Sequence, residues 1–174
     1  MTQQTKYSPS KSLDKSHDRD SFDCGVGPLN EYLKRYALQN QKKDAGRTFI
    51  VTNKENRIVG YYSLVFGSVA SEETTSEVSS GLGKYPIPVI LLARLAIDVV
   101  EKGKGLGKAL VRDALLRSLR ASEIAGLRAV LVHAKDEAAK GFYQKLGFVS
   151  APHNEFHLFM KMSDIRVSLA EHKE

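Results

Sequence analysis

The order of apolar and polar positions along the chain predicts a series of strands joined by turns. Two apolar segments flank the polar turn Asn53–Asn56 and predict paired strands over Arg47–Thr52 and Ile58–Val69. The run Leu91–Val100 is almost wholly apolar and ends in two β-branched valines, which is typical of a strand covered on both faces. Ala129–Ala134 has the same character and predicts a second buried strand.

Helical spacing marks a second set of elements. Pro28 suits the first turn of a helix, because proline lacks an N–H group that would go unpaired there. The apolar stripe of this helix comprises Leu29, Tyr32, Leu33, Tyr36 and Ala37. A further helix begins at Leu106, and another ends before Gly147, which is placed to form a left-handed cap. The tail after Ser163 predicts a weak helix.

The two ends of the chain and one internal segment complete the prediction. Residues 1–27 are polar and irregular, with one short strand, and residues 1–5 are candidates for disorder. Residues 70–88 are rich in Ser, Glu, Gly and Pro and predict a long loop. His157–Met162 predicts a closing strand that pairs with the segment around Val149. With 174 residues and no internal repeat, we expect a single domain over residues 1–174.

Composition narrows the class of protein. The apolar content of 42% and charged content of 26% are ordinary for a globular protein. No apolar run approaches the roughly 18 residues of a membrane span, and no signal peptide is recognised, so we expect a cytoplasmic protein without membrane association. Cys24 is the only cysteine, which excludes an intrachain disulfide and agrees with that compartment. The net charge of +6 permits an anionic partner but does not require one.

The run from Lys102 to Gly107 is the strongest candidate for a ligand site. Its glycines leave backbone amides open at the start of a helix, where the helix dipole and two lysines favour an anion such as a diphosphate. It contains no G-x-x-x-x-G-K-[ST], and Lys108 stands where the dinucleotide fingerprint needs glycine. On this run alone, a turn that merely joins strand and helix is an equal alternative.

Two motifs together carry a family resemblance. The spacing of Lys102, Gly105 and Gly107 resembles the acetyl-coenzyme A loop of GNAT (Gcn5-related) N-acetyltransferases, written [QR]-x-x-G-x-[GA]. Lys102 departs from it, since lysine keeps the charge of arginine but not its bidentate fork. Ala139–Phe148 resembles the second GNAT signature, A-x-x-F-Y-x-K-x-G-F. The resemblance implies an α+β fold in three layers, with a mixed, mostly antiparallel sheet, flanking helices and a splayed acetyl-CoA cleft.

The same resemblance assigns roles to individual residues. It places Tyr143 beside the thioester sulfur as the general acid, and it places main-chain groups of the strand before the loop along the pantetheine arm. It implies these acetyl-CoA contacts: Leu95, Ala96, Ile97, Lys102, Gly103, Lys104, Gly105, Leu106, Gly107, Lys108, Asp136, Ala139 and Phe142. By helical spacing alone, Tyr143 would be a core tyrosine.

Other candidate chemistries are weaker. Even for Tyr143, the pKa of a free phenol, about 10, lies above that of a thiol, about 8.5. Proton transfer to the coenzyme A thiolate is therefore unfavourable by roughly 2 kcal/mol in water, and a site that excludes water must offset this cost. Cys24 could accept the acetyl group, but it is far from the donor motifs and no base accompanies it, so a structural thiol is favoured. His153, Glu155 and His157 do not have the spacing of a zinc motif, and we predict no metal.

A narrower resemblance points to the acceptor. Phe22–Gly25, Thr48–Val51, Pro86–Val89 and Leu92–Asp98 look like the TacT-type GNAT toxins of bacterial toxin–antitoxin pairs. This resemblance implies acetylation of the α-amine of aminoacyl-tRNA, which blocks translation. It also implies a homodimer, a ribbon–helix–helix antitoxin, and contact with operator DNA only through the antitoxin complex.

The charge pattern is compatible with that substrate. An α-amine has a pKa near 7.7–8.0, so a substantial neutral fraction exists without a dedicated base. Arg94 stands out, because a charge within an apolar strand is costly unless it has a partner or faces a cleft. The candidate tRNA contacts are Lys34, Arg35, Lys42, Lys43, Arg47 and Arg94. Two alternatives stay open, an acetyltransferase for a small amine or a protein N-terminus and a non-catalytic GNAT-fold regulatory binding protein.

Overall fold

A single sheet forms the centre of the fold in the computed structural model, which describes residues 6–171. The disorder predicted for residues 1–5 lies outside the described residues. Within them, seven strands lie in the order β1-β2-β3-β4-β5-β7-β6. Their bounds are β1 Lys11–Ser12, β2 Arg47–Thr52, β3 Ile58–Val69, β4 Ile87–Ile97, β5 Ala129–His133, β6 Val149–Ala151 and β7 Asn154–Lys161. The strands β2 and β3 have the bounds predicted from sequence.

The strand directions confirm the predicted fold class. β1 pairs with β2, β2 with β3, β5 with β7, and β6 with β7, each in antiparallel fashion. β4 and β5 are parallel, with Val89 opposite Ala129 and Leu92 opposite Val132. The closing strand pairs with Val149 as predicted, since Val149 lies opposite Phe159. The sheet is therefore mixed and mostly antiparallel, with flanking helices.

Apart from α3, the helices follow the predicted segments, with one irregularity. Their bounds are α1 Gly27–Glu31, α2 Ala37–Lys42, α3 Ser76–Ser79, α4 Leu106–Ser122, α5 Glu137–Lys145 and α6 Met162–Glu171. A π turn over Tyr32–Tyr36 joins α1 to α2, and the N–H of Ala37 donates to the carbonyl of Tyr32. The single helix predicted after Pro28 is thus two α segments with a wide turn between them.

The chain divides into two units, each with a core of its own. The first unit takes residues 1–65 and 94–113, and the second takes residues 66–93 and 114–174. The core of the first contains Leu13, Phe22, Cys24, Tyr32, Leu33, Ala37, Ile50, Ile58, Tyr61 and Ala96. The core of the second contains Val78, Ile87, Val89, Ala129, Leu131, Ala151 and Phe159.

Three segments predicted from sequence have wrong bounds. The closing strand predicted over His157–Met162 is β7, which begins at Asn154 and ends at Lys161. The strand predicted over Leu91–Val100 is β4, which begins four residues earlier at Ile87 and ends at Ile97. Val99 and Val100 lie in a 3-10 turn and are 47% and 60% exposed, because Asp98 turns the chain by accepting a hydrogen bond from the Val100 N–H. The loop predicted over residues 70–88 contains a 3-10 turn at Ser71–Glu73, then α3, then the start of β4.

The segment around α3 is ordered by one arginine of the second unit. The Arg128 guanidinium donates to the carbonyl oxygens of Val78 at 2.9 Å, Ser80 at 3.2 Å and Glu77 at 3.3 Å. These carbonyls lie in and just after α3, where a helix leaves acceptors unpaired. No helix in residues 6–171 has the length and apolar character to cross a bilayer.

Candidate functional site

The glycine-rich loop lies between β4 and α4, as the sequence predicts. Gly103 and Gly105 have φ angles of +78° and +85°, in the left-handed region that favours glycine. A Cβ atom at either position would meet no atom within 4 Å, so backbone conformation rather than space requires glycine. Because α4 begins at Leu106, its first N–H groups lack helical acceptors and are available to an anion.

The start of this loop is fixed by a buried aspartate. The Asp98 carboxylate, 1% exposed, accepts from the N–H groups of Val100 at 3.1 Å and Asp23 at 3.2 Å. The Asp98 N–H donates to the Val59 carbonyl at 2.9 Å, and Arg57 lies 3.8 Å from the same carboxylate. The Val99 N–H also donates to the Asp23 carbonyl at 2.8 Å. Asp98 therefore ties the loop to β3 and to the turn that precedes α1.

The predicted phosphate lysines have different surroundings. The Lys102 Nζ donates to the backbone carbonyl of Cys24 at 2.6 Å, and Lys104 lies 3.5 Å from a Glu101 carboxylate oxygen. Lys108 is exposed on the first turn of α4. An ammonium has three donors, so one protein contact does not exhaust Lys102 or Lys104.

Glu101 accepts several side-chain hydrogen bonds that the sequence did not predict. Its Oε2 accepts from the Tyr7 hydroxyl at 2.5 Å and from the Lys6 Nζ at 2.9 Å. These hydrogen bonds, that of Tyr7 first, lower the pKa of Glu101 to about 2. The partners are more than 90 residues apart in sequence, so no local pattern could have revealed the contact.

A cavity of about 410 Å³ lies beside the first turns of α4 in the first unit. It is lined by Lys6, Tyr7, Ser8, Ser10, Val51, Leu106, Ala109, Leu110 and Asp113. The Asp113 carboxylate accepts from the Ser10 hydroxyl at 2.6 Å and from the Tyr62 hydroxyl. Its lining thus combines the apolar side chains of Val51, Leu106, Ala109 and Leu110 with polar groups.

The residues predicted before the loop lie at the end of β4 in the first unit. Ala96 is buried in the core with Tyr32 and Tyr61, whereas Leu95 and Ile97 are partly buried. A Cβ atom added to Gly60 would lie 3.3 Å from the Ile97 Cδ1. The Ala96 side chain therefore belongs to the core, which is compatible with the main-chain role that the resemblance implies.

Tyr143 lies in the second unit on α5, as predicted. Its ring packs edge-to-face against Phe142, with centroids 5.1 Å apart, and against Phe148 at 5.5 Å. Burial raises the pKa of Tyr143 to about 12. No hydrogen-bond partner of its hydroxyl is found among residues 6–171, so the proton is available to a ligand.

The ends of α5 are built by two further motif residues. The Asp136 carboxylate accepts from the Ala139 N–H at 2.8 Å and caps the first turn. Gly147, at φ +104°, ends the helix as predicted, and the Phe148 N–H donates to the Tyr143 carbonyl at 3.1 Å. Ala139 and Phe142 are partly buried. Asp136 thus has a structural role as a cap, whatever it contributes to a ligand.

The six candidate tRNA contacts differ in their surroundings. Arg35, Lys42, Lys43 and Arg47 are exposed, whereas Lys34 is partly buried. Arg35 is 3.4 Å from Glu31, and Arg47 is 3.8 Å from Asp44; such exposed ion pairs contribute little to stability. Arg94 differs, because its guanidinium carbon stacks 3.6 Å from the centroid of the Tyr32 ring.

The remaining chemical candidates are structural. Cys24 is 2% exposed, and its N–H donates to the Asn30 side chain at 2.8 Å, in agreement with a structural thiol. His157 stacks on His133 with ring centroids 4.0 Å apart. Over residues 6–171, no three His, Cys, Asp or Glu side chains are arranged to hold a metal ion.

Comparison with known proteins relates this geometry to a family. The acetyltransferase (GNAT) domain family matches residues 45–150. A tRNA-acetylating toxin of Mycobacterium tuberculosis is 39% identical over 165 residues, which cover 95% of this chain and 98% of that protein. AtaT complexed with acetyl-methionyl-tRNAfMet superposes with a TM-score of 0.85 at 28% identity, covering 92% of this chain and 98% of AtaT.

A second solved structure shows ligands of a related toxin. A Tyr-to-Phe mutant of AtaT, bound to the C-terminus of the antitoxin AtaR and to acetyl-CoA, matches with a TM-score of 0.80 at 27% identity. That match covers 94% of this chain and 98% of the AtaT chain. The matched domain spans more than half of the sequence and the toxin relative spans nearly all of it, and the chain therefore belongs to the GNAT acetyltransferase family.

Proposed function

We propose that this chain is a toxin acetyltransferase that transfers the acetyl group of acetyl-CoA to the α-amino group of aminoacyl-tRNA. The observation that carries this proposal is the 39% identity, over 95% of the chain, to a tRNA-acetylating toxin. An acetylated α-amine is an amide nitrogen and cannot attack the peptidyl ester, so translation stops. The matched domain takes in parts of both units, which supports the interpretation of residues 1–174 as one acetyltransferase domain.

The reaction is a direct transfer in a ternary complex. The neutral α-amine attacks the thioester carbonyl, its nitrogen loses one proton to water, the carbon–sulfur bond breaks, and the departing thiolate takes a proton from the general acid, which water then restores. Tyr143 is the proposed proton donor, and burial keeps its phenol protonated at neutral pH because its pKa is raised to about 12. The amine needs no dedicated base, since its pKa near 7.7–8.0 leaves a neutral fraction.

The cofactor contacts follow from the loop and from the end of β4. Amides of Gly103–Gly107 and the start of α4 are proposed to hold the diphosphate, with Lys104 and Lys108 adding charge. Lys102 acts mainly through the Cys24 carbonyl, holding the loop in shape. Leu95–Ile97 contribute main-chain groups to the pantetheine arm. Asp136, Ala139 and Phe142 of α5 and its cap are the remaining proposed contacts with the cofactor.

The proposed partners extend beyond the substrate. We assign five basic residues to the tRNA backbone. Lys34 and Arg35 lie in the π turn, Lys42 ends α2, Lys43 follows it, and Arg47 begins β2. An antitoxin partner is supported by the AtaT complex with AtaR. We extend this to a ribbon–helix–helix antitoxin, a toxin homodimer, operator DNA bound only through the complex, and action in the cytoplasm, where charged tRNA occurs.

Label transfer tests the proposal. The protein is incubated with acetyl-labelled acetyl-CoA and either charged tRNA or a panel of small amines and peptides with free N-termini. We expect label in the aminoacyl group of tRNA and loss of that label with Tyr143→Phe. Tyr85→Phe is the matched control, because Tyr85 is 82% exposed and lies outside every assigned contact.

Two outcomes would contradict the proposal. Label confined to small amines or peptides would assign the chain to a different class of acceptor. Failure to bind acetyl-CoA or to transfer label to any acceptor would indicate a non-catalytic regulatory protein.

A further inference from the structure

Arg94 is a charged residue on a strand that otherwise serves the core. It lies in β4 two residues before Ala96, so the two side chains point to the same face of the strand. Ala96 is part of the first unit's core with Tyr32 and Tyr61. An arginine at this position needs a partner that offsets the loss of water around its charge.

The aromatic ring beneath Arg94 is held rigidly. The guanidinium carbon stacks 3.6 Å from the centroid of the Tyr32 ring. That ring is 6% exposed and stacks on Tyr61, with centroids 6.5 Å apart and planes inclined by 21°. The Tyr61 hydroxyl donates to the Leu29 carbonyl at 2.6 Å, and Asn40 donates to the Tyr32 hydroxyl at 3.4 Å. Tyr32 thus fixes the plane of the guanidinium.

Stacking uses the face of the guanidinium and leaves its edges free. The five N–H donors of arginine lie in the plane of the group, so a cation–π contact consumes none of them. Among residues 6–171, no carboxylate or carbonyl oxygen accepts from Arg94. Arg94 is only partly buried, so part of its surface is open to solvent. A fixed fork of donors without a counter-ion suits a planar or tetrahedral oxyanion.

We infer that Arg94, stacked on Tyr32, binds a phosphodiester at the 3′ end of the acceptor tRNA. This inference rests on the proposed function, in which the reacting amine is esterified to the terminal nucleotide. The phosphates at that end of the tRNA are the anions nearest the amine. The diphosphate of acetyl-CoA is assigned to the amides of the glycine-rich loop and does not require Arg94. Arg94 is therefore a substrate-binding residue that places the end of the tRNA.

Equilibrium binding separates this role from a structural one. The dissociation constant is measured for deacylated tRNA with an intact 3′ end and for the same tRNA lacking its last two nucleotides. Arg94→Gln is expected to weaken binding of intact tRNA about tenfold, because a charge-assisted contact is lost, and to leave the truncated tRNA almost unchanged. Arg94→Lys keeps the charge without the fork and should restore part of the affinity.

Controls decide between the alternatives. Arg166→Gln removes one exposed positive charge from α6 and should lower the affinity for both tRNAs slightly and to the same extent. Thermal unfolding of Arg94→Gln and Arg94→Lys checks that both variants fold. Equal weakening of intact and truncated tRNA by Arg94→Gln, or no weakening of either, would overturn the inference, and so would a weakened affinity for acetyl-CoA.

The binding result is independent of the label-transfer result. If the wild-type protein fails to acetylate charged tRNA, the proposed function fails. The Arg94 contact is tested separately, by whether Arg94→Gln lowers the affinity for intact tRNA more than the affinity for truncated tRNA.

Discussion

The Lys102 Nζ donates a hydrogen bond to the backbone carbonyl oxygen of Cys24 at 2.6 Å. Lys102 stands at the position where the acetyl-CoA loop of the GNAT family has Gln or Arg. The contact joins the loop to the turn Asp23–Gly25, and Gly25 has a φ of +80°. The Val99 N–H reinforces the junction by donating to the Asp23 carbonyl at 2.8 Å. The side chain of Lys102 therefore orients the loop.

This role predicts how Lys102 variants bind acetyl-CoA. Lys102→Gln removes the charge but keeps a donor for the Cys24 carbonyl, and its affinity should stay within about twofold of wild type. Lys102→Leu removes the donor and should weaken binding roughly fivefold to tenfold, since a typical hydrogen bond contributes about 1 kcal/mol. Isothermal titration calorimetry measures both. If Gln and Leu weaken binding equally, the charge and not the hydrogen bond is what matters.

Removal of the Tyr143 hydroxyl should separate chemistry from binding. We expect Tyr143→Phe to keep its affinity for acetyl-CoA and to lose turnover by about a hundredfold or more, the usual contribution of a positioned general acid. Its ring contacts with Phe142 and Phe148 remain. Rapid-quench turnover and calorimetry test the two parts. Near-normal turnover would remove Tyr143 from the mechanism.

The pH dependence of wild-type turnover follows from the same residue. Burial raises the pKa of Tyr143 to about 12, so the acid stays protonated as pH rises from 7 to 10. The rate should increase through the pKa of the α-amine, near 7.7–8.0 or below, and then level off. A fall in rate between pH 9 and 10, after correction for loss of the tRNA ester, would contradict an acid of raised pKa.

Glu101 should stabilise the fold in a pH-dependent way. Its pKa is lowered from the usual 4.5 to about 2, so the folded state favours the ionised carboxylate. The stabilisation is present above pH 4.5 and is lost as pH falls from there towards 2. In urea, Glu101→Gln should unfold at lower denaturant than wild type at pH 7, and the gap should shrink at pH 3. Glu123→Gln, at an exposed position directly after α4, should show no comparable difference in urea midpoint from wild type at either pH.

Gly60 in β3 is predicted to be intolerant of a side chain. A Cβ atom there would lie 3.0 Å from the Leu110 Cδ1 and 3.4 Å from the Leu106 Cδ2, both buried on α4. Gly60→Ala should lower the free energy of unfolding by about 1–3 kcal/mol through overpacking. Gly67→Ala is a matched control on the same strand, since its nearest contact would be 3.9 Å. Urea denaturation of both variants gives the comparison, and equal stabilities would contradict it.

Periodic patterns in the sequence predicted most of the sheet and the order of its elements. β2 and β3 were placed correctly because both strands are rich in β-branched and aromatic residues and flank the turn Asn53–Asn56, whose residues strongly favour turns. The end of β4 was misplaced because Val99 and Val100 have high strand propensity, while the buried Asp98 beside them accepts hydrogen bonds that turn the chain. Tertiary hydrogen bonding overrode local propensity there.

The local structure of the two motifs was predicted from sequence, and the ligand contacts assigned to them stay a prediction. Gly147 has the left-handed φ angle predicted for a cap, and Gly103 and Gly105 in the loop have left-handed φ angles as well. The Glu101 cluster and the Lys102–Cys24 bond were missed, because each joins residues more than 70 positions apart. The costly charge of Arg94 was noticed, but its aromatic partner could not be found without the π turn that carries Tyr32.

The π turn over Tyr32–Tyr36 bears on how sequences of this helix should be aligned. A turn closed by i→i+5 bonds holds one residue more than an α turn. A homologue with one residue fewer in this stretch would restore ordinary α geometry and keep α1 and α2 in phase with the sheet. An alignment without a gap through residues 32–37 would then pair residues on one side of the turn with the wrong positions of that homologue, shifted by one. A gap of one residue therefore belongs within this turn.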